Sequence, residues 1–360
     1  MLLVLLIIIF CLALIISLII YLVILFGSEK TILIAEEDIP TVSFPFKNVF
    51  DEKGKKINII LISAPFRSAD HDKLYDEYKS KGLNFCGITS YREFPQKIVN
   101  EYENRYHEDQ KHHYSKMVKA WIYCFRNPEN YLESPSYIPN EERIVIPKLF
   151  LTEADLHDPE NYEYDPNIKK EYDFIYVCLK DNSECTNGWQ SSARNWDLAK
   201  KCLEVMCRDF KLKGLIVGRE NCQITEFCDG MLKIVDFLPY NEFQTEMKKS
   251  KFLFVPNIED ASPRIITEAM LYNIPVLVNE NILGGHHNVI SGVTGEFFTD
   301  ENNVSIGLKQ ITENLSQYTP RDWYIKNRGR KISGKILSNF LIESFPNINN
   351  KNMEYAYVRR

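Results

Sequence analysis

Asp260 and Glu268 stand in the stretch EDASPRIITEA, between the apolar runs KFLFVP and IPVLVNE. Ser262 is a favoured N-cap and Pro263 a favoured first helical residue, so a helix is expected to open there. The N–H groups of Arg264, Ile265 and Ile266 would then point unpaired beyond the helix start, a ready site for an anion or a polar oxygen. Asp260 lies just before that start, and Glu268 about one and a half turns inside it. Ile265, Ile266, Ala269 and Met270 form the sheet-facing stripe, and Glu268 is off it. The plain alternative gives Glu268 to solvent and Asp260 to a loop.

The flanking elements decide between these readings. KFLFVP exits into NIEDAS and IPVLVNE exits into NILGGHHN, where Gly284-Gly285 forms a second loop of nearly bare backbone. If the two strands are parallel neighbours, both loops open on the carboxyl edge of the sheet, where open α/β sheets bind ligands. Further strands are expected at DFIYVCL, KGLIVG and LKIVDFLP. Helices are expected at NWDLAKKCLEVMCRDF, YNEFQTEMKKS, PRIITEAMLY and VSIGLKQITENLSQ. Together they make a doubly wound sheet of about five strands. Upstream, INIILISAP and FCGIT read as strands around a helix in SADHDKLYDEYKSKG, followed by a long helical stretch from Pro95 to Arg126. A strand in RIVIPKLFL ends this half. The alternation argues for parallel α/β architecture in both halves.

The run from Lys251 to Phe298 resembles the nucleotide-sugar domain of retaining glycosyltransferases with the GT-B fold, the family 4 or group 1 type. The residues that carry the likeness are Asp260, Glu268, Ala269, YNIPVLVN, Gly284-Gly285 and Thr294-Gly295. Asp260 departs from the pattern, which usually has Glu there. The resemblance extends back to about Phe174. It implies that Lys180 and Arg194 grip the donor diphosphate, together with the amides at Arg264 and Ile265. It implies that Asp260 holds sugar hydroxyls, Glu268 the ribose hydroxyls, and Ser262, Gly284, Gly285 and His286 crowd the sugar and nucleotide. Retaining members pass the acceptor's proton to the donor phosphate, so no side-chain base, cofactor or metal is implied beyond the nucleotide sugar itself. The pieces GWQ and RNW are similar to compact glycosyltransferase-like proteins of large DNA viruses and protists.

The amino-terminal half matches less well. SAPFRSADHDK stands where the family has a glycine pair. Arg67 and His71, and Glu153, Asp155 and His157 after the last strand of this half, are the candidates for the acceptor side. Each has a plain reading as a surface or linker residue. The pairs His112-His113 and His286-His287 lack Cys or carboxylate at ligand spacing, which argues against a metal.

Composition bounds the rest. The chain of 360 residues, 45% apolar, is long enough for two domains with cores. A net charge of −6 with mixed signs argues against a nucleic-acid partner. Residues 1–27 carry no charged side chain and read as one transmembrane helix in the lipid bilayer. Lys30 and Lys47 after it, and cysteines outside it that read as free thiols, lean towards a cytosolic catalytic part. Asn303 and Asn314 in glycosylation triplets keep a lumenal side open.

The expected organisation is thus an anchor (1–27), a stem (28–56), an acceptor-side Rossmann-like lobe (57–165), a nucleotide-sugar lobe (166–320) and C-terminal helices with a tail (321–360). The expected function is transfer of a sugar from a nucleotide diphosphate to a hydroxyl of a glycan, lipid or glycoprotein. A nucleotide-sugar epimerase of the same fold, or an inactive sugar-nucleotide or glycan-binding protein, are the alternatives.

Overall fold

The computed structural model describes residues 34–90, 94, 114–126 and 147–359. Among them, the first lobe is built on strands β1 (Phe46–Asp51), β2 (Lys56–Ile62), β3 (Asn84–Thr89), β4 (Ala120–Tyr123) and β5 (Lys148–Phe150). β12 (Ala356–Val358), from the far end of the chain, completes a sheet of order β12-β1-β2-β3-β4-β5. From β2 to β5 the strands are parallel, and β1 runs antiparallel to both its neighbours. The run INIILI reads as uniformly apolar because both faces of β2 are covered. Ile59 and Leu61 face a core shared with Leu337 and Leu341 of helix α8 (Gly329–Ser344) and with Phe345 at its end. Ile60 and Ile62 face the other core, with Tyr75 and Tyr78 of helix α1 (Ala69–Ser80).

The second lobe carries β6 (Tyr172–Val177), β7 (Gly214–Val217), β8 (Leu232–Val235), β9 (Ser250–Val255), β10 (Val276–Asn279) and β11 (Gly295–Phe298). These form a wholly parallel sheet of order β11-β10-β9-β6-β7-β8. On one face pack α3 (Trp196–Arg208) and α6 (Val304–Asn314), through Trp196, Leu203, Met206, Leu308 and Ile311. On the other pack α4 (Tyr240–Lys248), α5 (Arg264–Leu271) and α7 (Pro320–Asn327), through Met247, Ile266, Met270 and Tyr324. A short helix, α2 (Trp189–Ala193), precedes α3.

Several expectations need correction. The segment read as a stem includes β1, whose polar residues are satisfied locally: Asn48 bonds Pro40, and Asp51 accepts from the N–H groups of Lys53 and Lys55. Ala120–Tyr123 is a strand, not part of a helix, and most of the remaining Pro95–Arg126 stretch lies outside the described residues. The second sheet has six strands because GEFF adds β11 beside β10. In the C-terminal segment, expected as helices and a tail, α8 packs on the first lobe and the tail carries β12, which extends the first sheet. Four of the cysteines read as free thiols are paired, as Cys185–Cys222 and Cys207–Cys228, which removes that argument for a reducing compartment.

The expectation of a single-pass membrane protein is also corrected. Among the described residues no helix is long and apolar enough to cross a membrane, and the expected span, 1–27, lies outside them.

Candidate functional site

β9 and β10 are hydrogen-bonded parallel neighbours, so the loops after them leave the same edge of the sheet. The two loops are joined by backbone bonds: Gly284 N–H donates to Asp260 O at 2.9 Å, and Leu283 N–H to Ile258 O at 2.9 Å. A Cβ at Gly284 would lie 1.9 Å from Ala261 O and 2.8 Å from Cys124 O, so only glycine fits. Gly285, at φ +76, brings its Cα against Pro263, where a Cβ would stand 2.5 Å from the ring.

Asp260 is thereby fixed at the mouth of α5. Its carboxylate meets the Arg194 guanidinium at 3.2 Å and accepts from Asn257 Nδ2 at 3.2 Å. It also accepts from the backbone N–H of Ser262 at 3.3 Å. Arg194 ends α2, where its carbonyl accepts the Tyr176 hydroxyl at 3.2 Å. Lys180, just after β6, reaches the other way, to Asp236 at 3.5 Å beyond β8. Both cations thus stand at the carboxyl edge of the second sheet.

The helix opens one residue later than the sequence implies. Pro263 occupies the N-cap and Ser262 makes no capping bond; among the described residues the buried Ser262 Oγ has no hydrogen-bond partner. Ile266 N–H is taken by Pro263 O at 3.2 Å, so among the described residues Arg264 and Ile265 keep the open first-turn N–H groups. Glu268 is not a solvated charge. It is 6% exposed, and the Tyr240 hydroxyl donates to its Oε1 at 3.2 Å.

The first lobe touches this site directly. Phe125 bridges to Gly284, and Arg126 N–H donates to Leu283 O at 3.1 Å. His286 lies beside Phe150, with ring centroids 6.3 Å apart. Burial, then the nearby Arg126 and His287, push His286 down to about 4, so its ring is neutral near pH 7. Asp155, expected on the acceptor side, is buried between the lobes. Its oxygens accept from His287 Nε2 at 3.0 and 3.1 Å, Asn288 Nδ2 at 2.8 Å and Thr152 N–H at 2.9 Å. With Arg328 Nε at 3.7 Å as well, Asp155 is engaged in joining lobes and is not open to a substrate. Glu153 pairs with Lys47. Arg67 lies over the Phe44 ring at 5.6 Å, and its N–H donates to His71 Nδ1 at 3.0 Å. Among the described residues no hydrogen bond or ion pair links Arg67 or His71 to the Asp260 cluster.

Sequence reasoning missed what supports Lys180 and Arg194. Asp181 accepts from the N–H groups of Gly188, Gln190 and Ser191 and from the Ser191 hydroxyl, so it organises the start of α2. Burial alone would raise the Asp181 carboxyl, yet these bonds outweigh it and hold it below the usual range. Arg219, fully buried, lies 4.5 Å over the Trp196 ring and donates to Ser191 Oγ at 2.7 Å. The Cys185–Cys222 disulfide ties the loop after β6 to the loop after β7. The available signal was position: both cysteines fall just beyond strands that end on one edge.

His157 packs against Tyr162 and contacts Thr267 Oγ1 at 3.3 Å, while His107, His112 and His113 lie outside the described residues. Among the described residues, no three His, Cys, Asp or Glu side chains converge as a metal site would require.

No family model matches the chain, and no curated protein matches it. Solved structures do. The pneumococcal O-GlcNAc transferase GtfA, in complex with UDP and GlcNAc, aligns with a TM-score of 0.51 at 11% identity over 77% of this chain. This chain spans 55% of the length of GtfA. Anabaena Alr3699/HepE, in complex with UDP and glucose, aligns with a TM-score of 0.50 at 10% identity, covering 75% of this chain and 74% of that one. At these identities the likeness shows the fold: two lobes with parallel-rich sheets, GT-B-like.

Proposed function

We propose that the chain is a retaining glycosyltransferase of the family 4 type that uses a nucleotide-diphosphate sugar as donor. The observation that carries the reading is the ion pair of Arg194 with Asp260 at 3.2 Å, set beside the open N–H groups that start α5. A cation and a carboxylate in contact suit a ligand in which an anionic group adjoins a hydroxylated one. On donor binding, Arg194 and Lys180 take the diphosphate, with the amides of Arg264 and Ile265. Asp260 is released to accept from sugar hydroxyls, with Ser262 and the Gly284-Gly285 turn close by. Glu268, already held by Tyr240, accepts from the ribose hydroxyls.

As the bond between the anomeric carbon and the phosphate oxygen breaks, its electron pair goes to the departing diphosphate. The growing charge there is met by Lys180, Arg194 and the helix amides, which stabilise the transition state more than the ground state. The acceptor hydroxyl bonds the anomeric carbon from the same face and gives its proton to the departing phosphate oxygen. That sequence retains the anomeric configuration and uses no side-chain base and no metal. Neutral His286 adds no charge beside the sugar.

A thermal-shift panel of UDP-, GDP- and ADP-sugars tests the reading. One donor class is expected to stabilise the protein, and Glu268→Ala to abolish most of that shift. Stabilisation by none of them would sink it. Turnover of the donor without an added acceptor to an epimerised sugar would favour the epimerase alternative.

A further inference from the structure

A cavity of about 310 Å³ lies beyond Tyr240, between the lobes and against the segments that cross between them. Tyr240 forms part of its wall and at the same time holds Glu268, so the cavity adjoins the proposed donor site. Lys180, Arg194, Asp260 and Gly284 do not line it.

Its charge is unbalanced. Lys47 and Arg330 are neutralised, by Glu153 and by Asp158, the second pair at 3.0 Å. Arg264 and Arg359 also line the cavity, and among the described residues neither has an acidic partner. Arg359 is held in place, its guanidinium 4.0 Å over the Phe50 ring and donating to Gly54 O at 3.3 Å. Tyr240 is the first residue of α4, so that helix begins at this wall with its positive end, and Arg264, whose amide is given to the donor, lines the cavity as well. Two arginines without an acidic partner among the described residues, beside the start of α4, line one space and suit a phosphoryl group, which arginine N–H donors bind well.

The geometry points to this cavity as the seat of a phosphoryl group on the acceptor, so that the acceptor class is a phosphorylated or pyrophosphorylated one. The inference rests on the transferase reading only for the word acceptor; the anion site stands or falls by itself.

Inorganic pyrophosphate, titrated calorimetrically, is the probe. In the Lys180→Gln/Arg194→Gln protein, which lacks the donor-side cations, pyrophosphate is expected still to bind. Adding Arg264→Gln and Arg359→Gln is expected to weaken that binding at least fivefold. A smaller change, or no binding to the Lys180→Gln/Arg194→Gln protein, overturns the proposal. Arg264→Gln alone changes an exposed side chain that has no acidic partner among the described residues, so it guards against loss of folding and is expected to cost at least threefold. Arg359→Gln separates the sources of the phosphoryl group. It is expected to leave nucleotide-sugar affinity unchanged, and an equal loss there would give the cavity to the donor and overturn the acceptor assignment. Failure of every nucleotide sugar to bind would sink the transferase reading and leave the pyrophosphate arm readable.

Discussion

Asp155 of the first lobe accepts from His287 Nε2 of the second at 3.0 Å, with both side chains largely withdrawn from solvent. A carboxylate taken out of water would ordinarily gain a proton, but here His287, Asn288 and the Thr152 N–H outweigh the cost of burial. They hold the Asp155 carboxyl at about 2. Its ordinary value is 3.8, so the folded protein favours the ionised form. The stability linked to that shift is present above pH 4 and lost as pH falls towards 2, and amounts to about 2 kcal/mol. Thermal unfolding followed from pH 6 to pH 2 is expected to show this loss, and Asp155→Asn to flatten it. Asp155→Ala, which strips a buried pair of one partner, is expected to cost about 3–5 kcal/mol.

Gly284→Ala is expected to be among the most damaging single changes. The added carbon meets two backbone carbonyls, of Ala261 and Cys124, which no rotamer change can move. Overpacking of this kind costs about 3 kcal/mol, measured as a fall in the denaturant midpoint. Gly292→Ala is the control. Open space surrounds it and only its φ of +74 is unfavourable, so about 1–2 kcal/mol is expected.

The two disulfides should differ in consequence. Each closes a loop, with sequence separations of 37 and 21, and loss of either is expected to cost about 3–4 kcal/mol. Cys185→Ser frees the loop that carries Lys180 and should weaken nucleotide binding as well as stability. Cys207→Ser acts on α3, behind the site, and should lower stability with donor affinity kept. Alkylation of the unreduced, denatured protein checks the pairing: Cys86, Cys124, Cys178 and Cys202 should label, and Cys185, Cys207, Cys222 and Cys228 should not.

Arg219→Lys is expected to behave almost as badly as Arg219→Ala. A lysine keeps the charge but loses the flat stack on Trp196 and the reach to Ser191. Both variants should lower the melting temperature and weaken nucleotide binding together, because α2 and Arg194 are carried by the same support.

The second lobe reads well from sequence because β6, β7, β8, β9 and β10 are short, mainly apolar runs and each long helix has one apolar stripe, whereas β11, GEFF, carries Gly and Glu and gives no such run. Asp260, Glu268 and the glycine pair follow from that reading, since strand order alone places their loops together. The first lobe reads poorly for physical reasons. β1 carries Asn48 and Asp51 into a buried strand, and their partners lie in turns that no periodicity reveals. Ala120–Tyr123 is too short to declare its period against the residues around it. Asp155 with His287, Arg219 with Trp196, and Cys185 with Cys222 join residues far apart in the chain, and local pattern carries no trace of such contacts. Ser262 shows the limit at the smallest scale: the residue types suit an N-cap there, but Pro263 takes that place and the helix opens at Arg264.

On the proposed reading Arg194 holds the diphosphate of a nucleotide sugar and Asp260, in contact with it, holds the adjoining sugar. Calorimetric titration with the sugar nucleotide that stabilises the protein most, and with its bare nucleoside diphosphate, tests it directly. Arg194→Ala should weaken both ligands at least tenfold. Asp260→Ala should weaken the sugar nucleotide while leaving the bare diphosphate as tight or tighter, because Arg194 is freed. Equal effects of Asp260→Ala on the two ligands, or no effect of Arg194→Ala on either, would contradict the account.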